Sequence, residues 1–367
     1  MAGARVTLKE IEDEVNTSPL QKVEDEKKSF KGKKNVTIEG FDFSVNGKDL
    51  KMCTITDCED VVIRRCKFSG TNLKDVALHI SGAKTKRVTV EFCIFENMDT
   101  DLKNGGEPLR LGNSQFSGCS FECTVRKCIF RNLKADPETI SIKSAKNLVE
   151  DCYHINNESM ITVRHGGLAE IRFNTFQGKG GVRLLGFGNK VHDNLFEENK
   201  ETGKLSPIQV QNGSAKKDNN WTDVKTPSNE AGSGHAVYAR CVANEITANE
   251  FRDCKTKIFF RTDKPLSPKN LKVDHTLPQP SEPEEEEEED PQTPEQPEPQ
   301  TPTEPSEDPP THARLCQVGH DEEAKLRVAL YVCRRHLDDV KPRMQELLNE
   351  IRAAAESGQI RVEEVEE

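Results

Sequence analysis

Six side chains that can carry positive charge recur in short alternating segments: His79 in Leu78-His79-Ile80, Arg110 in Leu109-Arg110-Leu111, and Lys143 closing Ile140-Ser141-Ile142-Lys143. Arg164 closes Ile161-Thr162-Val163-Arg164, Arg183 sits in Val182-Arg183-Leu184, and Arg240 closes Val237-Tyr238-Ala239-Arg240. Neighbouring side chains of an extended segment point to opposite faces, so the aliphatic members turn inward and the cations outward. If such segments stack about 4.8 Å apart, Lys143 and Arg164 become neighbours in space. A row of like charges is unfavourable unless something anionic lies against it. A merely solvated face would more usually mix Lys, Glu, Ser and Thr. The row therefore predicts a groove for an anionic ligand, with a solvated basic face as the plainer alternative.

A repeat supplies the scaffold that could stack these segments. The pattern aliphatic-x-x-(Cys, Asn or Phe)-x-Phe appears at Ile38-Phe41-Phe43, Ile63-Cys66-Phe68, Val90-Cys93-Phe95 and Val125-Cys128-Phe130. It continues at Val149-Cys152 with His154 in the Phe place, then at Ile171-Asn174-Phe176, Val191-Asn194-Phe196 and Ile246-Asn249-Phe251. Most steps are roughly 20–27 residues, the period of a coil with three short strands per turn. The expected fold is an all-β, right-handed single-stranded parallel β-helix over residues 35–270. Stacking would align Phe68, Phe95, Phe130, Phe176, Phe196 and Phe251 in one column. Cys66, Cys93, Cys128 and Cys152 would form an inward ladder continued by Asn174, Asn194 and Asn249. The chain's 12 cysteines are thus read as reduced and structural, because no CxxC pair with metal spacing occurs.

The remainder is organised differently. Hydrophobic residues make up only 34% of the chain, which is low if all of it were packed. Between Gln279 and Pro310 lie 13 acidic residues, no Lys or Arg, and repeated Pro. Such a stretch cannot bury enough apolar area to offset its ordering entropy, so residues 271–318 read as an acidic disordered linker. Without those acids, the net charge of −11 becomes slightly positive. Residues 1–34, with the amphipathic run Val6 to Val15, could cap the first coil, covering open strand edges. Residues 319–367 carry Leu326, Leu330, Cys333, Leu337, Val340, Met344, Leu347 and Ile351 at near-helical spacing, interrupted by Pro342. They read as a C-terminal α-helical segment able to self-associate as a coiled coil or to bind a protein partner. No window approaches the roughly 18 apolar residues of a membrane span, and the N-terminus has no apolar leader core. The expectation is a cytoplasmic chain as written, extracellular if exported by another route.

Four segments, in order, resemble polysaccharide lyase family 6, the group of chondroitinase B and alginate lyases. They are Asn104-Gly-Gly-Glu-Pro-Leu-Arg110-Leu-Gly, Asp136-Pro-Glu138-Thr-Ile-Ser-Ile-Lys143-Ser, Val163-Arg164-His165-Gly166 and Gly180-Gly-Val-Arg183. The likeness covers roughly residues 35–260. It implies β-elimination on a uronic-acid polysaccharide of alginate or dermatan/chondroitin type, with an anionic polysaccharide rather than nucleic acid as partner. On this resemblance Lys143 is the base and Arg164 the proton donor. Asn104, Asp136 and Glu138 hold Ca2+, a hard cation suited to oxygen ligands. Arg110, His165 and Arg183 match substrate-binding positions of the family, and Arg240 and His79, from the same outward row, are expected to bind substrate with them. The resemblance is imperfect at Asp136, where the family usually has Glu, so this carboxylate is one methylene shorter.

Two other readings compete. A noncatalytic β-helix could bind an anionic glycan or a protein through the same face. A glycoside hydrolase or uronate epimerase could share the fold, but a hydrolase needs two carboxylates flanking the scissile bond. Asp136 and Glu138 sit too close to Lys143 in sequence to form that pair plainly.

Overall fold

A computed structural model describes residues 5–102, 105–116, 119–134, 137–212, 241–261, 271–274 and 276–277. The expected acidic linker beyond Leu277 and the helical C-terminal segment lie outside the described residues, as do Asn104, Asp136 and Arg240.

Among the described residues, twenty-seven short strands form three parallel sheets of nine. Each turn of the chain contributes one strand to each sheet, and every pairing is parallel to the equivalent strand one turn away. The first sheet runs from Gln21–Glu24 to Glu250–Arg252, the second from Lys28–Lys31 to Ile258–Phe260, and the third from Lys34–Glu39 to Leu271–Val273. This is a right-handed parallel β-helix. The coil begins at Gln21 rather than residue 35 and continues to Val273, past residue 270.

The repeat follows from local geometry. The residue before each ladder position adopts a left-handed conformation: Arg65, Phe92, Lys127, Asp151, Phe173, Asp193 and Ala248 have φ of 48–55°. That sharp corner joins the third sheet to the first and turns the next side chain inward. Short polar or sulfhydryl groups there can reach the carbonyls of the preceding turn. Cys93, Cys128 and Cys152 lie 3.6–3.7 Å by Sγ from the carbonyls of Ile63, Val90 and Val125. From Asn174 onward a stronger donor takes over: the amides of Asn174, Asn194 and Asn249 donate to the carbonyls of Val149, Ile171 and Val191 at 2.8–3.0 Å. The ten described cysteines are free thiols, nine of them buried. Burial pushes the Cys123 thiol up to about 12 and holds Cys93 and Cys128 well above the usual thiol range. They pack as small apolar groups.

Two residues after each ladder position, aromatic rings stack. Phe43, Phe68, Phe95, Phe130, His154, Phe176, Phe196 and Phe251 follow one another with centroids 4.6–5.1 Å apart and planes within 15°. The spacing equals the strand separation, so the column is a direct product of register. All are buried except Phe251, which is half-buried in the last coil.

The N-terminal segment departs from expectation. A helix, Leu8–Val15, is closed by a capping box in which the Thr7 hydroxyl accepts from the Glu10 amide and the Glu10 carboxylate accepts from the Thr7 amide. Its buried face, Ile11 and Val15, lies on the outward Ile94 and Ile129 of the first sheet. It therefore crosses the flank of the coil instead of covering its end. Arg131 bonds Glu12, Arg64 bonds Glu14, the Tyr153 hydroxyl donates to the Val6 carbonyl, and Arg5 reaches the Asp193 carbonyl.

Candidate active site

The outward face of the second sheet carries the candidate residues in two adjacent columns. Strand register aligns His79, Arg110, Ser141, Thr162, Arg183 and Gln209. Lys143 and Arg164 follow the paired residues Ile142 and Val163, so they share a second column just past the strand ends. The Arg164 amide donates to the Ile142 carbonyl at 2.9 Å, and the Lys143 amide to the Leu111 carbonyl at 2.8 Å. The single row expected from the sequence is thus two rows, with Lys143 and Arg164 on neighbouring turns.

The backbone at this edge is held tightly. Gly112 has φ +89° and lies where a Cβ would meet Ser144 and the Lys143 backbone at 3.0–3.3 Å. Gly166, at φ +80°, would place a Cβ 2.5 Å from the Ser144 carbonyl oxygen. Only glycine accommodates both the angle and the approach. Ser144 donates to the Leu111 carbonyl, and the Asn147 amide donates to the Ser144 carbonyl and hydroxyl. These bonds fix the chain directly after Lys143.

Two buried carboxylates organise the cations. Glu107, fully buried, accepts from Arg110 through both of its oxygens and from Lys143 Nζ at 3.3 Å. Glu138, also buried, accepts from Arg164 at 3.4 Å, from Arg183 and from the Ser141 hydroxyl. Among the described residues, four permanent or potential cations therefore share two anions. The cationic stretch from Arg110 to Arg183 covers three rung steps, about 14 Å.

Protonation sharpens the picture. Burial pushes His79 down to about 4, and Arg110 adds repulsion against the Asn113 hydrogen bond. His79 is therefore neutral near pH 7 and is no member of a cationic row. Lys143 lies below its ordinary value chiefly through burial; Arg110 and Arg164 push the same way, while Glu107 and Glu138 oppose them. Desolvation is the largest cause, ahead of like-charge repulsion from the arginines. Burial would raise Glu107, but the hydrogen bond and charge of Arg110, with Lys143, outweigh it and hold the carboxyl below the usual range. His165 is buried, and its Nε2 lies 3.2 Å from the Ser114 hydroxyl.

Of the three expected metal ligands, Glu138 alone lies among the described residues, and Arg164, Arg183 and Ser141 occupy its carboxylate. No cluster of three His, Cys, Asp or Glu able to hold a metal occurs among the described residues. Glu107 is the site residue that strand periodicity missed: it precedes the alternating run Leu109–Leu111 and lies outside the period-two reading. Its sequence signals are an acid three residues before Arg110 and its place inside the family-like segment Asn104-Gly-Gly-Glu-Pro-Leu-Arg110.

A family model described as Chondroitinase B matches residues 16–266. No curated protein matches. Among solved structures, a PL6 alginate lyase in complex with a trisaccharide is similar at 11% identity and a TM-score of 0.46, covering 69% of this chain and 70% of that one. A mannuronic-acid-specific family 6 lyase from human gut microbiota is similar at 16% and 0.40, covering 68% of each chain. The alginate lyase AlyF-OU02 in complex with G6 is similar at 12% and 0.44, covering 69% and 71%.

Proposed function

Because this chain belongs to the chondroitinase B family of polysaccharide lyases, we propose that it cleaves a uronic-acid-containing polysaccharide by β-elimination at the outward face of the second sheet. The observation that carries this reading is the buried Lys143, set between Arg110 and Arg164 on neighbouring turns, with burial holding its amine below the ordinary lysine range. A lysine acts as a base only when neutral, and desolvation favours that form.

The C5 proton of a uronate is weakly acidic, so elimination requires the carboxylate's developing charge to be stabilised. Arg110 and Arg183, at the two ends of the cationic stretch, supply fork-shaped donors for carboxylates. Lys143 Nζ takes the C5 proton. The electron pair forms the C4=C5 bond, the C4–O bond breaks, and the departing oxygen lies toward Arg164. A guanidinium is a poor acid in isolation, so Arg164 contributes mainly by hydrogen bonding and charge at that oxygen. His165, beside Arg164, belongs to the same substrate-binding set.

Ca2+ enters this reading as the cation that Asn104, Asp136 and Glu138 would hold against the uronate carboxylate, neutralising it. Glu138 also accepts from Arg164 and Arg183, and the steps above are derived from the chain's own cations.

The deciding test follows ultraviolet absorbance of the C4=C5 double bond on alginate, polymannuronate, polyguluronate, dermatan sulfate and chondroitin sulfate. Growth on any member supports the lyase. No growth on all of them, with polymer still retained, would leave a glycan-binding module. Chelation followed by Ca2+ add-back, read in the same assay, separates metal-assisted from arginine-only neutralisation.

A further inference from the structure

Glu107 is fully buried, yet it faces Lys143 at 3.3 Å and holds Arg110 through both oxygens. The strand Leu109–Leu111 and its upstream turn bring it to the rung before Lys143. Resting on the lyase reading, we propose that Glu107 is the positioning partner of Lys143: it holds the amine toward the reacting carbon and receives, as a charge pair, the ammonium formed when the C5 proton is taken.

The balance is simple. The proton leaves C5 and ends on Lys143 Nζ, the C5–H electron pair becomes the C4=C5 bond, and the C4–O pair departs with the leaving group. Glu107 exchanges no proton. Before transfer it faces a neutral amine; afterwards it faces a cation, so its attraction grows as the proton moves. In a buried site such a preorganised charge is far more effective than in water. Arg110, bidentate on the same carboxylate, keeps it ionised and aimed. The other charges facing Lys143 are Arg110 from the preceding turn, Glu138 on its own strand and Arg164 from the following turn. Glu107 differs from Glu138 in that it touches the amine.

The test uses the full chain and the variants Glu107→Gln and Glu107→Asp, with circular dichroism as the folding control. Two readouts are taken: steady-state elimination across pH, and the Lys143 titration followed by NMR on isotope-labelled lysine, assigned by loss of the signal in Lys143→Arg. In Glu107→Gln, kcat should fall about 100-fold with KM changed less than about threefold. The acid limb and the Lys143 titration should both move down by about one pH unit, because an anion that favours the ammonium is gone. Glu107→Asp keeps the charge but draws it back, so kcat should fall about tenfold while the limb stays in place. A Lys143 titration unmoved in Glu107→Gln overturns the pairing, whether or not turnover is seen. A moved titration with wild-type kcat overturns the catalytic contribution. If the wild type eliminates no uronate polymer, the lyase reading fails and the role in elimination falls with it, while the titration still reports the pairing separately.

Discussion

Replacing His154 with Phe should remove a specific acid sensitivity from the coil. His154 occupies the aromatic column between Phe130 and Phe176, with centroids 4.9 and 4.6 Å away. It is buried, and its Nε2 meets no hydrogen-bond partner among the described residues. Burial pushes it from 6.5 down to about 3, so the folded chain holds it neutral. The group binds protons more readily when unfolded, so its contribution to stability is complete above about pH 6.5 and is lost as pH falls toward 3. At about pH 5 the two values imply a loss of about 2 kcal/mol relative to neutral pH. His154→Phe has no such proton, and the neighbouring rungs show that a phenyl ring suits the column. Urea unfolding of wild type and variant at about pH 7.5 and about pH 5 measures the difference of differences, cancelling carboxylates common to both. The wild type should lose about 2 kcal/mol more than the variant over that interval. Equal losses would refute the claim that the ring is kept neutral by its position in the stack.

Lys143→Ala should abolish turnover while leaving circular dichroism and most substrate affinity unchanged; Arg164→Ala should lose both turnover and affinity, read by single-turnover elimination and polymer binding. For the wild type, the rate should rise with pH through the Lys143 titration, with a midpoint below 10.5 because burial lowers it; an acid limb at the ordinary lysine value would remove Lys143 as base. Asn194→Ala should cost about 2–3 kcal/mol in urea unfolding, because it strips the Ile171 carbonyl of a donor and the Asn174 amide of its acceptor. Ile11→Asp should release the N-terminal helix and make it a protease site, at a cost of about 2–4 kcal/mol, while the coil's β-sheet signal persists.

What could be read from the sequence was whatever a strict period encodes. The aliphatic-Cys/Asn-Phe repeat located the ladder and the aromatic column, and His154 could be placed because it stood where Phe was due. Lys143 and Arg164 came onto neighbouring turns for the same reason. The first coil escaped because Val23 and Phe30 are embedded among lysines and lack the Cys-x-Phe mark. The helix face of Ile11 and Val15 signalled burial, but an amphipathic pattern does not say against which surface, and the flank of the first sheet offered Ile94 and Ile129. His79 looked cationic because residue type carries no information about desolvation. Glu107 went unread because it orders the cations from outside the alternating strand.

The helix on the flank changes how the coil comes apart. A stack in which each turn touches only its neighbours unfolds like a one-dimensional chain, and fraying can start at either end. The N-terminal segment breaks that rule by touching Arg64, Arg131, Tyr153 and Asp193, on turns far apart in the stack. It links those turns lengthwise, so opening one of them forfeits contacts that belong to others. The final coil, with Glu250–Arg252, Ile258–Phe260 and Leu271–Val273, lies beyond the last of these bonds. Amide exchange should therefore be slow and nearly uniform from the Arg64 turn to the Asp193 turn and faster in the final coil, and removing the helix should turn that plateau into a gradient.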